Sequence, residues 1–187
     1  MNETKIVLNF DLEQVCNDVL TKCNLISVGL KDEALEDIRA NIQEPDNPET
    51  RSIINRAITE AFGDVKSFCQ RYLKTGRTVD NNMLERIIRD VVYTRDSGGH
   101  ATDTVDHYVY ETITLELFIP NFNVSVTDAL KSAIHGFVRD YTMASFLDDQ
   151  LPDKAAEYHV KTAEGHKMIT KLLNSREKFT ARKPSWI

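Results

Sequence analysis

Cysteine is scarce in this 187-residue chain: Cys16, Cys23 and Cys69 are an odd number, with no CxxC pair among them. That pattern argues against a disulfide framework and against a cysteine zinc site. Cys16 and Cys23 lie seven residues apart and share a helix face with Leu12, Val15, Val19 and Leu20. Both are therefore expected as buried free thiols. Long hydrophobic runs are also missing. No apolar stretch approaches the ~20 residues of a spanning helix. The few apolar residues ahead of Asp11 are too short for a signal-peptide core. The expectation is a protein without membrane association, made in a reducing compartment. Positive charge is in deficit, with Lys and Arg totalling 23 against 29 Asp and Glu, a formal net charge of -6. The chain as a whole is no polyanion binder. Catalytic signatures are absent too. Gly98-Gly99 is not followed by Lys-Ser or Lys-Thr, and there is no nucleophile elbow, HExxH, EF-hand loop or dinucleotide fingerprint. No internal repeat or low-complexity segment occurs.

What the sequence does have is periodicity. A hydrophobic share of 41% and a charged share of 28% are ordinary for a globular protein. A chain of this length buries roughly 70% of its unfolded surface without needing a disulfide or a metal. Ile6, Leu8 and Phe10 alternate with Lys5, Val7 and Asn9, which predicts a short strand or extended arm before Asp11 caps a helix running to about Cys23. Leu25 to Leu30 reads as a connector, Asp32 to Ile42 as a shorter helix, and Glu44 to Asn47 as a loop. Asn47-Pro48 with Glu49 is the clearest helix start. From Ile54 to Leu73, apolar residues recur at three and four. Gly63 within this helix costs about 1 kcal/mol relative to Ala, and marks a candidate close helix approach.

Asp80 to Thr94 fits both a helical stripe and a β-rich segment; the reading taken is a helix giving way to a strand near Arg89. Asp96-Ser97-Gly98-Gly99-His100 is a turn signal. Beyond it, one alternation runs through Val105, Ile113, Leu115, Leu117 and Ile119, and predicts a single long strand from Tyr108 to Ile119. So long a strand needs a partner, and the nearest candidate is the end of the 80s segment. Thr127 to Leu147 and the segment reopened by Pro152 are helical patterns joined by Asp148-Asp149-Gln150, a helical hairpin. On the second of these, Ala155, Ala156, Tyr158, Val160, Ala163, Met168, Ile169, Leu172 and Leu173 are the apolar set. The fold class is thus mainly α (α+β): a bundle of long amphipathic helices with an extended β-hairpin. One domain, 1-187, divides into helices (1-79), helix/strand and β-hairpin (80-120), helical hairpin (121-176) and basic tail (177-187).

Candidate chemistry is thin. His135, His159 and His166, with Asp140 or Glu157, imitate a bundle metal site, but lack the i, i+3 or i+4 pairing that puts two ligands on one metal. No metal and no cofactor is expected. Glu111 on the apolar strand face reads as a charge crossing an interface rather than a catalytic carboxylate. Tyr108 and Tyr110 read as hairpin packing or a protein contact, because Asp103, Asp106 and Glu111 make the surroundings acidic for nucleic acid. Tyr108, Tyr110 and Glu111 are therefore the candidate neighbour contact. Between Arg176 and Lys183 stand four basic residues against one acidic, and the sole tryptophan, Trp186, follows. Phe179, Arg182, Lys183 and Trp186 form a candidate docking peptide that orders on a partner.

The layout has a familiar order. Lys5-Ile6-Val7-Leu8-Asn9-Phe10-Asp11 enters a helix, and a long helix carries Ala57-Ile58-Thr59-Glu60-Ala61. Leu115-Glu116-Leu117-Phe118-Ile119-Pro120-Asn121-Phe122 follows, then a helix ending Tyr141-Thr142-Met143-Ala144-Ser145-Phe146 and a last helix into Arg176 and Arg182-Lys183-Pro184. This resembles the head–tail connector (adaptor) proteins of tailed phages, in particular those of gut-bacterial phages and prophages. The resemblance implies a non-enzymatic virion structural protein, made in the bacterial cytoplasm. It implies a homo-oligomeric ring, commonly twelve-fold, between portal and tail proteins, with DNA passing through and not bound specifically. The long helix from Asn47 and the helical hairpin would form the ring body, the segment around Asp90 to Tyr110 a projecting hairpin, and Phe179 to Ile187 the docking tail. A bacterial protein-interaction module and a metal-dependent helical-bundle enzyme are the alternatives.

Overall fold

The computed structural model describes residues 3–30, 48–73, 89–95, 101–108 and 112–176. The order is β1 (Glu3–Asp11), α1 (Leu12–Gly29), α2 (Pro48–Cys69), β2 (Arg89–Arg95), β3 (Ala101–Tyr108), β4 (Thr112–Pro120), α3 (Thr127–Leu147) and α4 (Pro152–Leu173). The mainly α, α+β class is thus the observed one. The helix predicted over Asp32 to Ile42, the Glu44 to Asn47 loop, the helical half of the 80s segment and the Gly98-Gly99 turn lie outside the described residues.

β1 and β4 form an antiparallel pair, with Ile6 opposite Leu117, Leu8 opposite Leu115 and Phe10 opposite Ile113. Because side chains alternate along a strand, all of these fall on one face, and all are buried. The other face mixes polar groups with Val7 and Phe118. Lys5 Nζ lies 3.1 Å from Glu116 Oε1, and Thr114 Oγ1 donates to Asn9 Oδ1 at 3.0 Å. The long strand expected from Tyr108 to Ile119 is corrected in two ways. It is two strands, β3 and β4, and β4 pairs with β1 rather than with the 80s segment. β2 does start at Arg89 and pairs antiparallel with β3 as a hairpin. Alternation continues through both strands, so the pattern carries no mark of the change of partner.

Asp11 ends β1 and caps α1, its Oδ1 accepting from Glu13 N at 2.9 Å and Gln14 N at 3.4 Å. Such a cap satisfies orphan amides of the first turn and stabilises by about 1 kcal/mol. α1 does not stop near Cys23 but runs to Gly29. Val19, Cys23 and Ser27 continue one buried stripe at four-residue spacing. Ser27 fits there because its hydroxyl donates to Asn24 O at 2.7 Å, within its own helix. α2 buries Ile54, Ala57, Ile58, Ala61, Phe62, Val65 and Cys69, and Phe62 meets Phe10 of β1 edge-on at 5.4 Å between ring centroids.

α3 and α4 form the expected helical hairpin across residues 148–151. Only part of the apolar set on α4 is buried. Ala156 and Ala163 are exposed, as are Val160 (60%) and Met168 (46%). The buried line is Ala155, Tyr158, Ile169, Leu172 and Leu173, with half-buried Thr162 and Gly165 between. Gly165 is where two helices come close, since a Cβ there would sit 3.4 Å from Phe137 Cβ. Gly63, the glycine expected to mark such an approach, faces open space.

Candidate functional site

The predicted docking residues Phe179, Arg182, Lys183 and Trp186 lie outside the described residues, as do Tyr110 and Glu111. Of the predicted neighbour contact, Tyr108 is placed by its backbone, closing β3 opposite Arg89. What the structure does describe is the point from which the tail departs. Arg176 Nη1 donates to Leu173 O at 2.7 Å and to Ser175 O at 3.2 Å, so a cation sits on the carbonyl end of α4, where the helix dipole favours it. Its Nη2 donates to Tyr72 Oη at 3.2 Å, and Tyr72 Oη donates to Asn174 Oδ1 at 3.2 Å. Arg176 also bridges Phe122, and Leu73 bridges Leu117. Asn121 turns the chain between β4 and Phe122 with φ 50, a left-handed conformation that asparagine tolerates. One end of the molecule thus ties together the end of α2, the turn after β4 and the root of the tail.

A second constellation lies where α1, α3 and α4 meet. Asp140 is only 7% exposed. Arg139 holds it with two donors, Nε at 2.8 Å and Nη2 at 3.1 Å, and Lys22 Nζ lies at 3.3 Å. A buried carboxylate requires such pairing. The hydrogen bond from Arg139 to Asp140 raises the guanidinium pKa, against the pull of burial. Lys22 also stands 5.5 Å from the Tyr158 ring centroid, and Lys161 stands 4.3 Å from it. Burial, and then the Asp140 carboxylate, push the Tyr158 phenol up. Next to these groups opens a cleft of about 510 Å³, with Leu25, Ile26, Leu30 and Tyr158 as its apolar walls and Lys22 and Lys154 at its rim. Sequence reading singled out Asp140 only as a metal ligand. Its available signal was an Asp beside an Arg on the apolar stripe of a helix.

The three histidines go to separate partners. His135 Nε2 lies 2.8 Å from Asp18 Oδ2, and His159 Nε2 lies 3.0 Å from Asp148 Oδ1. His166 stacks on Phe68 at 4.0 Å between centroids. Glu157 is taken by Lys154 at 2.9 Å. Among the described residues, no group of three or more His, Cys, Asp or Glu is arranged to hold a metal ion. The cysteines are buried and free, as expected. Burial pushes the Cys23 and Cys69 thiols up to about 12, so at neutral pH they are not thiolates. No helix among the described residues is long and apolar enough to cross a membrane.

No family model, no curated protein and no solved structure matches this chain.

Proposed function

We propose that this chain is a virion structural protein of tailed phages, a head–tail connector that assembles as a ring between portal and tail proteins. The observation that carries the reading is the order of elements. Four of the patterns on which the resemblance rests fall in elements of the fold, Lys5 to Asp11 in β1, Ala57 to Ala61 in α2, Leu115 to Pro120 in β4 and Tyr141 to Phe146 in α3, while Arg182-Lys183-Pro184 lies outside the described residues. The Arg176 clasp supports it further, because a docking peptide works best from a fixed root. In this reading α2 and the α3–α4 hairpin line up side by side with their copies in neighbouring subunits. The β2–β3 hairpin with Tyr108, Tyr110 and Glu111 reaches a neighbour, and Phe179, Arg182, Lys183 and Trp186 dock on the portal. A net charge of -6 suits a channel that passes DNA without holding it, since phosphate contacts to Lys and Arg dominate affinity for DNA. Deleting Phe179 to Ile187 is expected to leave the melting temperature unchanged and to abolish co-sedimentation with the portal. A truncated chain that still co-sediments contradicts the assignment of the tail.

The cleft beside Lys22 and Tyr158 favours one second reading, a bacterial interaction module without catalytic activity. Its mark is a stoichiometric complex with a cellular protein that Leu25→Asp disrupts, in a chain indifferent to the portal.

A further inference from the structure

The chain builds two separate two-stranded sheets, β1–β4 and β2–β3, and among the described residues neither gains a third strand. Two-stranded ribbons are marginal in water, and an unpaired strand edge is a template for another strand. The four outer edges are not equivalent. That of β4 is met at Leu117 by the bridge from Leu73. That of β1 has no strand beside it among the described residues, and β1 runs nine residues, Glu3–Asp11, without a proline. Its register against β4 is unbroken from Glu3 to Asp11, with no bulge to turn the edge away.

We infer that the outer edge of β1 accepts β2 from a second copy of this chain, giving a four-stranded sheet β4–β1–β2–β3 across the subunit boundary. Charge selects β2 over β3. β1 carries Glu3; its one cation, Lys5, is engaged by Glu116, and its other acid, Asp11, caps α1. β2 carries Arg89 and Arg95 against Asp90. β3 carries Asp103 and Asp106 and no Lys or Arg. Unlike charges on adjacent strands stabilise the pair and like charges oppose it. β2 also offers Val91, Val92 and Tyr93, residue types common in strands, ahead of its register shift between Tyr93 and Arg95. The contact is heterologous, using β1 of one copy and β2 of the next, and such a contact repeats around a closed ring. The second copy as occupant rests on the ring reading above; the edges and charges do not.

Disulfide trapping tests it in the full chain. The native thiols are buried and leave the background low, and Val7 on β1 is 47% exposed. V7C protein is mixed with V91C protein and oxidised, with V92C and Y93C covering the neighbouring registers. The expected product is a V7C–β2 heterodimer, with T104C on β3 giving only background. Adding R89E and R95E to the β2 partner is expected to abolish the product. Three results overturn the inference: equal trapping by T104C, V7C trapped only with V7C, or no trapping at all. The outcomes separate from those for the ring. Rings without trapped product end the edge pairing alone, whereas trapped product without rings ends the ring reading alone.

Discussion

Two of the seams that α3 makes, against α2 and against α1, have opposite character. Against α2 it is aromatic, with Phe137 meeting Phe68 edge-on at 5.3 Å between centroids. Against α1 it is a ladder of polar and sulfur pairs, Asp18–His135, Lys22–Asp140 and then Cys23–Met143 at 3.7 Å. The numbers rise together along both helices, so α1 and α3 run parallel. The difference separates two tasks. The apolar seam supplies burial, which is non-directional and grows with area. The polar seam adds little net stability, yet fixes which turn of α1 faces which turn of α3, since a slip would strand Asp140. Lys22 of this seam also lines the cleft between α1 and α4.

Breaking the apolar seam should cost most. Phe137→Ala is expected to lose about 3–5 kcal/mol, read as the shift in urea midpoint. A loss below about 1 kcal/mol would show that the seam is not the stabilising one. Asp140→Ala comes next, at about 2 kcal/mol. That is less than the ~3–5 for a fully buried pair, because Arg139 and Lys22 keep some contact with water.

The thiols of the two seams respond to alkali. The pKa values of Cys23 on the α1 seam and Cys69 at the end of α2 are raised to about 12. In the unfolded chain a thiol loses its proton near 8.5. Above that value the unfolded chain has lost protons that the folded chain keeps. The contribution of these thiols to stability is therefore complete below about pH 8.5 and is lost as pH rises toward 12. Urea titrations across that range should show stability falling. A Cys23→Ala, Cys69→Ala double variant should show a shallower fall, and an unchanged slope would contradict the burial account.

The smallest effect should be a gain. Gly63 faces open space inside α2, so Gly63→Ala is expected to stabilise by about 0.5–1 kcal/mol. Gly165→Ala, placed against Phe137, should not share that gain.

The fold was legible where a cap or a breaker stands in the sequence, and not at the end of α1, which has neither near Cys23. Asp11 as a cap, Pro48 opening α2 and the break after Leu147 are written in adjacent residues, and each is where the structure has it. What was illegible was long-range. β4 lies more than a hundred residues from β1, and a strand's alternation names a face but not a partner. The same holds for the glycines, because neither Gly63 nor Gly165 shows in its neighbours which one meets another helix. Nor does apolar character alone mark burial on α4, where Val160 and Met168 are exposed and the stripe passes through Thr162 and Gly165 instead. Of the candidate site, the residues Phe179, Arg182, Lys183 and Trp186 were legible as composition only. Their root at Arg176 depends on Tyr72, about a hundred residues away in sequence, and could not be read there.

The proposed role is that of a subunit assembling on a portal. Electron microscopy of the full chain at high concentration, alone and with the portal ring from the same genome, tests it most directly. The account predicts a ring of this chain seated on the portal. Single particles of monomer size, leaving the portal bare, would contradict it.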